Sequence, residues 1–232
     1  MVILISGLSV FVCYRYQIFF NVDLTLLSIA IIFPLVFTIR GSFRRREKAL
    51  EHLSQFRSAM KTLYYFTTTS NLTLEEKNKL EIILEDVGNK TMERLKNQNE
   101  EIKDLDDEIE KVYDFILSKN GMISTKLKDR VFKYLNDLHE AIDNLHAIHV
   151  HRTPLSLKAY CKVFIYIFPF MYTPTIIFNI GQNYNHAAVY FVVILTEFIL
   201  ISLYNIQDHL EYPFDDKGLD DIKLDHFKIK RK

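Results

Sequence analysis

The run A-A-V-Y-F-V-V-I-L-T-E-F-I-L-I-S-L-Y-N-I, Ala187 to Ile206, constrains this chain more than any other stretch. It holds one ionisable acid, Glu197, and has the length of a helix that crosses the hydrocarbon of a bilayer. Lipid offers no hydrogen bonds, so a spanning backbone must satisfy itself as a helix or a closed barrel. The run is continuously apolar and does not alternate, which selects the helix. An acid at such a depth is costly. It is expected to pair with a hydroxyl or lysine on a neighbouring helix, or to face a permeation path.

Three more apolar segments accompany it: Val2 to about Val12, Leu24 to Ile39 with Pro34, and Val163 to Ile180 with Pro169 and Pro174. In the first, Tyr14 and Arg15 are placed at the interface, with Arg15 snorkelling. The N-terminus lacks a basic stretch before its apolar run and a small-residue cleavage site after it, so it reads as a retained membrane segment. R-G-S-F-R-R-R-E-K follows the second segment, and Arg152, Lys158 and Lys162 precede the third. The connections N-V-D and G-Q-N-Y-N-H carry no Lys or Arg. The positive-inside bias then puts both termini and the central region in the cytoplasm.

The central region reads as helices. One continues from the second span through R-R-R-E-K-A-L-E-H-L to about Phe66, and T-T-T-S-N breaks it. Thr73 and Glu76 have capping-box spacing, which starts the next helical stretch. Ile102, Leu105, Ile109, Val112 and Ile116 step by 3 and 4 until Asn120-Gly121 stops the run. Leu127, Val131, Leu135, Leu138, Ile142 and Leu145 repeat that spacing on a last helix leading to the third span. The expected fold is an all-α membrane protein with four transmembrane helices in a 2 + 2 arrangement around a large helical cytoplasmic insert. Its divisions are 1–40 (two spans), 41–156 (insert), 157–206 (two spans) and 207–232 (acidic tail).

Several function classes fall away. Twenty-nine basic and 29 acidic residues balance, which gives no argument for nucleic acid. Two cysteines, Cys13 and Cys161, sit in apolar runs and read as small buried hydrophobes. No phosphate-binding glycine loop, nucleophile elbow or H-E-x-x-H motif is present, so no catalytic residue is assigned and the chain is read as no enzyme. His146, His149 and His151 resemble a metal tract, but they end an amphipathic helix, where imidazole suits the helix dipole. Within the second span, Ile29, Phe33 and Phe37 share one face. Such a stripe serves helix packing, or, if several subunits turn it to a shared axis, a hydrophobic constriction. Four short spans hardly enclose a pore alone, so a channel of this kind requires a ring of subunits.

Three stretches together resemble the bestrophin and bestrophin-like ion channels. E-Y-P-F-D-D-K-G-L-D-D-I-K-L-D, Glu211 to Asp225, is similar to the family's acidic Pro-Phe-Gly tail. T-P-L-S-L-K-A-Y, Thr153 to Tyr160, resembles its Thr-Pro approach to the third span. The second span running into I-R-G-S-F-R-R-R-E-K-A-L resembles its pore helix. The resemblance implies a homopentamer in the lipid bilayer that conducts chloride or other small inorganic anions. Its neck would be lined by Ile29, Phe33 and Phe37, with a register of Ile31, Leu35 and Ile39 nearly as good. It implies a cytoplasmic aperture near Val131. It also implies a use for the acidic tail residues Glu211, Asp215, Asp216, Asp220 and Asp221, which would cap helices or meet Arg44 to Arg46 of this or the next subunit. Pro213 would end the last helix and Phe214 anchor the turn. Calcium-gated members clasp Ca²⁺ with this tail. Here Asp220 matches one ligand, but Lys217 takes another ligand's position and Asp215 stands where the family usually has Gly. A lysine among the ligands works against the ion, so no cofactor is assigned. The competing class is a non-conducting membrane scaffold whose helical insert binds a protein partner.

Overall fold

A computed structural model of the chain describes residues 2–97, 103–119, 122–181 and 185–229. Among them run α1 (Val2–Tyr16), α2 (Thr25–Thr69), α3 (Leu74–Lys96), α4 (Lys103–Ser118), α5 (Thr125–Val150), α6 (Leu155–Ile180) and α7 (His186–Glu211). A short 3₁₀ turn, Leu224–Phe227, follows in the tail. The chain forms two compact units. The first is Met1–Arg44 with Thr153–Glu211, and the second is Arg45–Arg152 with Tyr212–Lys232.

The first unit holds the apolar helices. Ile31 and Leu35 of α2 pack with Cys161, Ile165 and Phe168 of α6 and Leu200 of α7. Val10 and Cys13 of α1 pack with Ile177 of α6 and with Val189 and Val193 of α7. Many apolar side chains point outward, Leu4, Leu26 and Phe191 among them, as helices in contact with lipid require. Three stretches are long and apolar enough to cross a membrane: α2, Thr125–Ile180, which ends in α6, and α7. α1 is a shorter apolar helix of 15 residues. At 1.5 Å per residue it rises about 22 Å, less than the roughly 30 Å of hydrocarbon.

Pro34 interrupts the hydrogen bonding of α2. It has no N–H for the carbonyl four residues earlier, that of Ala30. The Tyr160 hydroxyl of α6 donates to that carbonyl at 3.2 Å. A partner helix thus covers the group the proline frees.

In the second unit, α2 runs on to Thr69, three residues past the predicted Phe66. The predicted capping box at Thr73 forms in full. Its side chain accepts from the Glu76 N–H while the Glu76 carboxylate accepts from the Thr73 N–H. The sequence set no break between Thr73 and Asn120, yet α3 ends at Lys96 and α4 begins at Lys103. Both helices bury apolar faces, and Glu108 of α4 ties them by accepting from Lys90 of α3 and Lys111 of its own helix, each at 2.6 Å. Leu105, Ile109, Val112 and Ile116 are buried as their spacing predicts. Ile102 and the Asn120-Gly121 stop lie outside the described residues. On α5, Val131, Leu135, Leu138, Ile142 and Leu145 are buried, with Leu127 half-buried beside them. The core of this unit is completed by Phe214, Ile222 and Leu224 of the tail.

Candidate functional site

The two registers considered for the second span separate cleanly in the structure. Ile29, Phe33 and Phe37 are 46%, 57% and 58% exposed, while Ile31 and Leu35 are each 1% exposed. The second set is spent on packing against α6 and α7. The first is left free on the outward face, with the Phe33 and Phe37 rings 6.0 Å apart. Exposure in the single chain leaves Ile29, Phe33 and Phe37 available to lipid or another chain, as it does Ile32 and Val36, whereas Ile31 and Leu35 are buried and Ile39 is half-buried. A cavity of about 640 Å³ adjoins Ile29 and Phe33, and its other walls include Asp23, Thr25 and Ser28 at the start of α2 and Asn179 of α6. Tyr160 holds α2 from behind this face at Ala30.

Val131 has no such free face. It is buried in the core of the second unit with Leu135 and Leu138, so the side chain expected at an aperture is consumed by packing within its own chain.

The tail after α7 is a folded loop. Glu211 ends α7, Pro213 stops it, and Phe214 is buried beside the His149 ring. The Ile222 N–H donates to the Pro213 carbonyl at 2.8 Å and closes the loop. Within it, Asp221 accepts from the Gly218 N–H at 2.8 Å and Asp215 from the Lys217 N–H at 3.2 Å. A Cβ on Gly218 would fall on the Asp221 carboxylate, so the close approach requires glycine. Burial first, and the Asp215 carboxyl beside it, push the Asp221 carboxyl above the ordinary aspartate value. Asp216, at a left-handed φ of 57°, pairs with Lys96 of α3 at 2.7 Å. Of the expected Arg44 to Arg46 partners, Arg46 does reach the tail, but Nε donates to the backbone carbonyl of Asp220 at 2.8 Å and not to a carboxylate.

Glu211 has a different role from the aspartates. It is buried, and it accepts from the Thr153 N–H at 2.9 Å, Gln207 Nε2 at 2.8 Å and Lys158 Nζ at 2.9 Å. Lys158 also donates to Asp208 at 2.7 Å, and Gln207 reaches Ser42 of α2 at 3.4 Å. This network joins the start of α6, the end of α7 and α2. The sequence showed these residues but not their joining, because Glu211 and Thr153 are far apart along the chain.

The residues do not suit calcium. Hard Ca²⁺ takes six to eight oxygens, whereas Asp221 and Asp215 accept backbone N–H groups, Asp216 holds a lysine and Lys217 stands in the loop. Among the described residues no group of three His, Cys, Asp or Glu side chains is placed to hold a metal. The histidines of the tract each have partners of their own. Arg94 Nη2 lies 3.2 Å from His146 Nδ1, His149 faces Phe214, and the His151 N–H caps α5 at the Ala147 carbonyl. Burial holds the His146 and His149 imidazoles below the ordinary histidine value.

No family model matches the chain, and no curated protein matches it in sequence. Solved structures do. The bestrophin homologue of the bacterium Klebsiella pneumoniae, phased on zinc, superposes with a TM-score of 0.76 at 17% identity, covering 97% of this chain and 91% of that one. A point variant of that homologue gives 0.78 at 16% identity over the same shares. A further membrane protein variant gives 0.79 at 15% identity, covering 97% of this chain and 90% of that one. The chain has a bestrophin-like fold. With three helices of spanning length, it is an integral membrane protein.

Proposed function

We propose that this chain is a subunit of a bestrophin-type ion channel. It assembles as a homopentamer and passes chloride or other small anions through an apolar neck lined by Ile29, Phe33 and Phe37. The observation that carries this reading is the outward, unpacked stripe on α2, whose alternative register is buried. An apolar ring of this kind blocks ions when it dewets and conducts when it widens or fills with water. In this arrangement α1, α2, α6 and α7 are the four membrane helices in pairs of two. The second unit, both termini and the tail then lie in the cytoplasm, on the side of Arg40, Arg44, Arg45 and Arg46. The chain performs no catalysis in this reading. Its tail loop serves to finish the core of the second unit, and conduction is independent of calcium.

Flux from liposomes containing the purified protein tests this, with a chloride gradient compared against a potassium gradient. Chloride efflux is expected, and Phe33→Ala and Phe37→Ala should change it several-fold while leaving assembly intact. Cation flux with the same sensitivity keeps the neck and overturns the anion selectivity. Absence of flux for either ion at every calcium level and potential favours the scaffold reading, in which the exposed α2 stripe contacts lipid.

A further inference from the structure

Glu197 lies near the middle of the 26-residue α7 and is 1% exposed. Neither of its oxygens has a hydrogen-bond partner among the described residues. The pairing with a hydroxyl or lysine that its sequence position suggested is therefore not made. Its surroundings follow from helix register. The Tyr14 and His186 rings lie 4.3 Å apart, and Val10 and Cys13 share a cluster with Val189 and Val193, so α1 and α7 run antiparallel. One turn further along each helix brings Ser6 to the level of Glu197. Ser6 is fully buried, and its hydroxyl also lacks a partner among the described residues. On α6 the Thr173 hydroxyl is already engaged. Ser9 of α1 donates to the Pro169 carbonyl at 3.0 Å, and Thr173 Oγ1 lies 2.6 Å from Ser9 Oγ and 2.6 Å from that carbonyl.

Among the described residues no Lys, Arg or His is paired with Glu197. The titratable groups on the faces packed around α7 are the Cys13 thiol and Tyr14 phenol of α1 and the Cys161 thiol and Tyr172 phenol of α6. On α7 itself they are Tyr190 and Tyr204. His186 stands at the start of α7 against Tyr14. Lys158 is held by Asp208 and Glu211, roughly 16 to 21 Å farther along α7 at 1.5 Å per residue. An ionised carboxylate so buried and unpartnered is too costly to persist, and the neutral acid replaces it. A bound cation would need several free oxygens, and the Ser9 and Thr173 hydroxyls are already taken.

We propose that Glu197 is a proton-binding site inside the membrane helices, separate from the neck: a carboxylic acid held neutral by the packing of α1, α6 and α7, and open to attack by apolar carbodiimides. Loss of the proton leaves a charge that the closed packing cannot hold. Ionisation is thus linked to water entering between α1 and α7, and alkaline pH favours the loosened form. In the carbodiimide reaction the acid proton passes to one nitrogen of the reagent and the carboxyl oxygen adds to its central carbon. The O-acylisourea then rearranges to an N-acylurea. Nothing leaves, so Glu197 gains the mass of one reagent molecule.

The test labels the full chain in liposomes with dicyclohexylcarbodiimide and, separately, with a charged water-soluble carbodiimide, followed by peptide mass mapping. Glu197 should be modified by the apolar reagent alone, with a yield that falls at least several-fold as pH rises from 6 to 9. Sodium in place of choline should not protect it. No modification by the apolar reagent at any pH, equal modification by both reagents, or protection by sodium each overturns the proposal. The last outcome would make the site a cation site. Glu197→Gln gives an independent reading, since a neutral acid replaced by its amide should leave the melting temperature unchanged or raised. A fall of more than a few degrees would mean that a charged carboxylate was being used. None of these outcomes depends on whether the protein conducts.

Discussion

Four aspartates lie between Pro213 and Ile222, and the fold does not treat them alike. Asp216 meets Lys96 at the surface, where such a pair contributes little. Asp221 is partly withdrawn from water next to Asp215, and its raised carboxyl value means that the folded loop resists its ionisation. A group whose value is raised on folding favours the folded state at low pH, and that advantage is lost as pH rises through the folded value. Asp221→Asn keeps an acceptor for the Gly218 N–H and removes the charge. Its melting temperature should exceed the parent's at pH 7.5, and the gap should close towards about pH 4, where free aspartate is itself half protonated. Thermal unfolding across that range measures it, and a gap independent of pH would show that charge is not the cause. The Phe214 anchor was legible in the sequence, because a large apolar side chain one residue past a helix-stopping proline needs cover. The aspartate partners were not, because Lys96 comes from a helix 120 residues earlier. The place of Val131 was not legible for a related reason. Periodicity tells which residues share a face, but not whether that face meets the core or a passage.

At the scale of the element, α2 and α6 depend on each other through a single atom. Pro34 frees the Ala30 carbonyl and Tyr160 fills it. Tyr160→Phe should lower stability by about 1 kcal/mol, the usual net value of such a bond. In a Pro34→Ala background, residue 34 regains an N–H for that carbonyl and the same change should cost much less. Additive effects across this double-mutant cycle, read from melting temperatures in detergent, would show that the two residues do not act on one group. Elements of this chain were legible where strong local chemistry marks them. The α2 continuation, its break and the Thr73 capping box all came from residues next to one another. The end of α3 at Asn97 was missed because the stretch that follows is polar and no Gly or Pro punctuates it. The shortness of α1 was partly visible in its composition, since the apolar run gives way by Tyr14.

For the whole molecule, a ring of chains is the arrangement in which an outward apolar stripe becomes an enclosed one. Native mass spectrometry of the purified protein should give a particle of five times the 27.5 kDa chain. A monomer or dimer as the largest species would remove the shared axis on which the neck reading depends. The bestrophin-like architecture was legible because an apolar block, a charged helical block, a second apolar block and a Pro-Phe tail follow in fixed order. Burial within the first unit was not, because α2 presents apolar residues all round and only packing divides them into inward and outward sets.

The two units alternate along the chain, and Phe214, Ile222 and Leu224, which complete the core of the second, are made after α7. During synthesis, α2 to α5 therefore exist for a time as a bundle with an open apolar groove. That groove closes only when the final stretch emerges, behind a helix already committed to lipid. A nascent chain that stalls or is cut before Phe214 keeps it open, and an open apolar groove is what chaperones and quality-control proteases bind. The last apolar residues of the tail thus act as a completion mark, telling a finished chain from an unfinished one.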